Sequence, residues 1–171
     1  MRAATRQKPR MKEQPLRLRG YLEYQLRDAR SGEIVGKGKS KNVVTYIGRS
    51  FALKAIASAT QPLIQWMMLG TDAAATNATQ TALGSFFSII NSTRATTGMT
   101  TSAAAANITF TLAASWNSNE THANSTAINE FALLNSSTTS GTMTMFNRVT
   151  TSSPINFQST NTLAVTITIT N

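Results

Sequence analysis

Apolar and polar residues alternate from Leu16 onward. Leu16, Leu18, Leu22, Tyr24 and Leu26 fall on one parity, and Arg17, Arg19, Glu23, Gln25 and Arg27 fall on the other. A period of two sustained over this length predicts a strand with one face dry and one face wet. Asp28–Glu33 has turn chemistry, and Ile34–Lys37 predicts the returning strand of a hairpin. Gly36 and Gly38, interleaved with Lys37, Lys39 and Lys41, predict a flexible basic link.

The period changes after this link. Asn42 can cap a helix over about Val43–Ser58, with Val44, Ile47, Phe51, Leu53 and Ala55 as its apolar side. Beyond Pro62, the compact run Leu63–Leu69, with Trp66 inside it, predicts a buried strand ended by Gly70-Thr71-Asp72. The remainder is β-like. Ser85–Ile90 is a short apolar run, and Ile108–Ala114 alternates. Ala127–Leu134 and Thr142–Thr150 follow, and the chain closes on Leu163, Val165, Ile167 and Ile169 in phase. Short strands separated by Ser/Thr/Asn-rich turns predict a mainly β fold, a β-sandwich of jelly-roll type. Three parts are expected: a basic extended arm at 1–15, a hairpin and linker at 16–41, and a sandwich body at 42–171 that opens with the helix.

Charge sharpens that division. Of 171 residues, 16 are Lys or Arg and 7 are Asp or Glu, for a formal net charge of +9. Fourteen of the basic residues and four of the acidic ones lie in 1–54; the rest of the chain has Arg94 and Arg148 against Asp72, Glu120 and Glu130. A basic N-terminal third on a nearly uncharged body calls for an electrostatic partner. Arg2, Arg6, Lys8, Arg10, Lys12, Arg17 and Arg19 form the candidate contact arm. It can clamp an acidic protein surface or touch nucleic-acid phosphates, which need no fixed geometry. Residues 1–20 lack aromatics, so base stacking is not expected of the arm. The charge-poor body suggests a surface that meets other subunits, including copies of itself.

Other chemistry finds little support. There is no Cys and a single histidine, His122, in a polar loop. Neither a nucleophile-elbow motif nor a phosphate-cradling glycine motif is present. The expectation is a non-enzymatic protein without cofactor or metal. No apolar run approaches the ~20 residues of a membrane span, and a signal-peptide pattern is not expected. Six Asn-X-Ser/Thr sequons, starting at Asn77, Asn91, Asn107, Asn119, Asn124 and Asn135, suit the Ser/Thr/Asn-rich composition without implying glycosylation. Glu130 sits inside an otherwise apolar strand, and a buried carboxylate needs a partner; Arg148 is the candidate for an internal ion pair, with a contact to a neighbouring subunit as the alternative.

The order of several short segments adds a resemblance. Residues 63–72 (LIQWMMLGTD) are followed by Thr81-Ala82-Leu83, residues 128–135 (INEFALLN), residues 141–148 (GTMTMFNR), Pro154-Ile155 and the alternating Leu163–Thr170. This succession, over about residues 42–170, resembles a group of small virion structural proteins of tailed bacteriophages. The chain departs at Ala132-Leu133-Leu134, where that pattern often has Gly-Leu-Phe. The resemblance implies a capsid decoration protein packed on the phage head, or a neck, tail or head-fibre component. It also implies a virion location after assembly in the host cytoplasm, and major capsid or other virion proteins as partners. Packaged nucleic acid is a further partner for the arm, and nucleic-acid binding is the rival function. Residues 1–41 lie outside the shared pattern.

Overall fold

The computed structural model describes residues 17–57, 64–86, 96–101, 108–117, 126–136 and 144–170. These form eight strands and one helix: β1 (Arg19–Asp28), β2 (Ile34–Val44), α1 (Tyr46–Ala57), β3 (Trp66–Gly70), β4 (Thr96–Thr101), β5 (Ile108–Trp116), β6 (Thr126–Leu134), β7 (Met145–Phe157) and β8 (Asn161–Thr170). The fold is therefore mainly β. The strands join in the order β3-β6-β7-β2-β1-β8-β5-β4, and every described pairing is antiparallel.

The sheet curls around one core. β2 makes this continuous: it pairs with β1 from Ile34 to Asn42, then leaves and pairs through Val43 and Val44 with Arg148 and Asn147 of β7. Both flanks thus send side chains into the same interior. Leu22, Leu112, Trp116, Leu163 and Ile167 come from one flank, and Met67, Leu69, Phe131, Leu133 and Phe157 from the other. The strict alternation of β8 buries Leu163, Val165, Ile167 and Ile169 on its inner side. A second cluster, Met68, Ala132, Leu134 and Met145, lies on the opposite face of β3, β6 and β7, where Trp66 and Leu83 pack on it.

The hairpin expected as a separate unit is part of this sheet. β1 pairs with β8 over ten positions, Arg19↔Thr170 through Asp28↔Asn161. The segment expected as a flexible link at 36–41 is regular strand. In the β1–β2 ladder Gly36 stands opposite Leu26 and Gly38 opposite Tyr24. A Cβ on Gly38 would come within 2.5 Å of the Tyr24 ring. The glycines make room for large side chains of the neighbouring strand, so their presence does not loosen the chain.

The helix also starts later than the sequence suggests. β2 continues through Val44, and the cap is Thr45, whose Oγ1 accepts the Gly48 N–H at 2.9 Å and donates to the Met145 carbonyl at 2.8 Å. Asn42 is a strand residue. Of the expected apolar side of α1, Phe51 packs on the core together with Ala52, whereas Leu53 is 57% exposed. β7 runs past the expected end at Thr150 to Phe157 despite Pro154. Between the pairs Glu130↔Thr150 and Ile128↔Ile155 the register slips, and Ser152, Ser153 and Pro154 bulge outward, exposed. A proline is tolerated there because its missing N–H leaves no ladder bond unmade.

Candidate interaction surface

Two groups of charged residues stand out, one buried and one exposed. The buried group centres on Arg148 of β7. Its Nε donates to Glu130 Oε2 at 2.6 Å, one Nη donates to Asp72 Oδ2 at 2.9 Å, and the other donates to the Ala74 carbonyl at 3.2 Å. Arg148 and Glu130 are fully buried. Glu130 also accepts the backbone N–H groups of Ser85 at 2.8 Å and Gly84 at 3.0 Å. Gly70 stands opposite Glu130, where a Cβ would collide with the carboxylate. The internal ion pair named from the sequence is thus formed. Asp72 and the two amide donors were not legible in it, because they come from a loop far from both partners along the chain. The arrangement fastens residues 71–86 over the outer face of β3, β6 and β7.

The exposed group lies on the outer face of β1 and β2. Alternation puts Arg19, Tyr21, Glu23 and Gln25 on that face of β1, with Lys41, Lys39 and Lys37 opposite the last three. Lys39 lies 3.6 Å from the Tyr21 ring centroid and 3.0 Å from Glu23 Oε1. Arg27 is engaged with the Gln25 side chain and the Gly32 carbonyl. Arg19, Lys37 and Lys41 are exposed and make no ion pair among the described residues. Arg17, also exposed, precedes them. One carboxylate among this many cations leaves the face strongly positive.

On the far side of β1, strands β8 and β5 carry no charge on this face, whereas β7, beside β2, carries the buried Arg148 on it. Thr166 and Thr168 of β8 stand opposite Glu23 and Tyr21, and Thr111 and Ala113 of β5 continue the row. The described surface is thus a basic stripe bordering an uncharged sheet face, on which Thr168 is buried and Thr111 and Thr166 are half-buried.

Arg17 and Arg19 therefore belong to a folded surface, together with Lys37, Lys39 and Lys41, which the sequence places in a linker. Arg2, Arg6, Lys8, Arg10 and Lys12 lie outside the described residues, as does His122. Trp116 is fully buried at the end of β5 opposite Leu163. Among the described residues no helix is long and apolar enough to cross a membrane. No family model, curated protein or solved structure matches the chain.

Proposed function

We propose that the chain is a non-enzymatic structural protein of a virus particle, a capsid decoration protein of a tailed bacteriophage with a sandwich of jelly-roll type as its body. Its basic arm and the stripe on β1 and β2 hold it on acidic surfaces of neighbouring virion subunits. The observation that carries this reading is the stripe of Arg19, Lys37, Lys39 and Lys41 on β1 and β2, beside an uncharged face of β8 and β5. An array of cations suits an acidic protein surface, and an uncharged sheet face suits packing against another subunit. The order of short segments from residue 63 to residue 170 supports the phage reading. Repetition over many copies would make weak individual contacts add up.

Cryo-EM of the particle encoded alongside this chain tests the proposal. The expected result is density for the body on the shell lattice, with β1 and β2 facing an acidic patch. Density only at the neck, tail or a fibre would replace decoration with a connector role, and absence from the particle would overturn the virion reading. The rival nucleic-acid function is favoured by the same cations. Duplex DNA held through them must lose affinity steeply as salt rises.

A further inference from the structure

Where β2 passes from β1 to β7 the sheet divides and leaves one edge of β2 open. Residues 34–42 pair with β1, and on the opposite edge the paired positions are Val43 and Val44, with Arg148 and Asn147 of β7. Among the described residues no strand pairs with positions 34–41 on that edge. An open edge is ordinary, since water satisfies it. What distinguishes this one is the chemistry along it.

Lys37, Lys39 and Lys41 stand exposed on the outer face at every second position. Lys39 is shared with Glu23 of β1, so the free charge rests on Lys37 and Lys41. On the inner face Gly36 and Gly38 have no side chain, and the Tyr24 ring lies across Gly38, where a Cβ would meet its far end at 2.5–2.8 Å. β2 has no proline, whereas β7, which flanks the same division, is blunted by Pro154 in its bulge. Lysines on an edge guard against indiscriminate pairing. They repel a strand of like charge and admit one of opposite charge. An added strand with acids at alternate positions sets each beside a lysine. Its intervening residues then lie beside Gly36 and Gly38, where an apolar side chain meets the Tyr24 ring.

This chain cannot supply such a strand to itself or to a second copy. The closest of its seven acidic residues, Glu23, Asp28 and Glu33, are five positions apart, so no segment can face Lys37 and Lys41 with an acid each. We propose that the open edge of β2 accepts, by strand addition, an extended segment of a partner protein in which acidic and apolar residues alternate. This rests on the proposed function, in which acidic protein surfaces hold the chain, and names the form of that contact.

The test uses the full chain at low salt and a fluorescein-labelled octapeptide of alternating Glu and Val, read by anisotropy. An octapeptide of the same composition with its glutamates in one block is the control, and a duplex DNA oligonucleotide is run in parallel. The alternating peptide should bind about ten-fold tighter than the block isomer, the size of one net main-chain hydrogen bond. Every second N–H of an added strand faces its neighbour. N-methylation of one alternate set of peptide amides should therefore abolish binding, and N-methylation of the other set should leave most of it. Lys37→Gln and Lys41→Gln should each weaken binding about two- to five-fold, as exposed charge pairs do. Arg49→Gln, on α1, should leave it unchanged. Equal binding of the two isomers, or equal effects of the two methylated sets, overturns strand addition while the basic surface stands. If the chain binds neither peptide, strand addition and the acidic-surface contact of the proposed function fail together, and DNA binding in the same assay then supports the rival reading.

Discussion

Arg148 and Glu130 meet at 2.6 Å with both side chains fully withdrawn from water. A pair in that setting is weak evidence for net stability, because desolvation offsets much of the attraction, but breaking it from one side strands a buried charge. Glu130→Ala should therefore destabilise the fold by about 3–5 kcal/mol in urea unfolding. Arg148→Met should cost a similar amount, since Glu130 would keep only its backbone donors. The double variant should cost clearly less than the two single effects combined. Asp72→Asn should be milder, because the Asp72 side chain is 29% exposed and Arg148 would retain Glu130. Additive single effects would show that the two side chains act independently.

This relationship also shows how far the sequence could be read. Glu130 and Arg148 were conspicuous because each interrupts an apolar strand, and hydrophobic burial leaves a lone charge nowhere to go. β1 and β8 were legible for the complementary reason: one side of each packs on the core and the other does not. β2 was legible only at its start, Ile34–Lys37; beyond that, Gly36, Gly38 and Ser40 occupy its inner positions opposite large β1 side chains, and a strand that fits by being small has no apolar period. β4 (TTGMTT) was missed because it lies at the sheet edge and has hardly any apolar signal. The exposed stripe follows from β2. Once residues 34–44 are strand, Lys37, Lys39 and Lys41 must share one side, and the apparent linker becomes a surface.

Gly36 and Gly38 should respond oppositely to alanine. A Cβ on Gly36 would sit 3.5 Å from Leu26 Cβ, an ordinary contact. Gly36→Ala should be neutral or stabilise by about 0.5 kcal/mol by restricting the unfolded chain. Gly38→Ala drives a methyl into the Tyr24 ring and should cost roughly 1–3 kcal/mol. Combining it with Tyr24→Leu should recover part of the loss in thermal melts. Equal tolerance at both glycines would mean that the Tyr24 ring is free to move away.

The β1–β2 turn predicts a pH dependence. Asp28 Oδ1 accepts the Ser31 N–H at 2.7 Å and the Arg30 N–H at 2.9 Å. These bonds, the Ser31 amide foremost, favour the ionised carboxylate and hold its pKa below the ordinary value of 3.8. A depressed carboxyl pKa stabilises the folded state above the unfolded pKa, and that contribution disappears as pH falls through the folded one. Carbon-detected NMR should show Asp28 titrating below 3.8, and Asp28→Asn should flatten the acid limb of the stability profile. An unshifted Asp28 would mean that the turn bonds do not persist in solution.

Thr45 links the helix to the sheet more tightly than a cap alone would. Its fully buried hydroxyl accepts the Gly48 N–H, donates to the Met145 carbonyl, and its own N–H reaches the Phe146 carbonyl at 3.1 Å. Thr45→Ala removes the cap and leaves a buried carbonyl without its donor. The loss should reach the upper end of the range for N-cap truncation, about 2 kcal/mol, since both partners of the hydroxyl are buried. Thr45→Ser keeps the oxygen and should retain most of the stability, losing only a methyl. Hydrogen exchange then separates two roles. If Thr45 serves α1 alone, Thr45→Ala speeds exchange only within residues 46–57. If it also holds the start of β7, the amides around Met145–Arg148 open as well, and the second outcome is the one its two-sided bonding predicts.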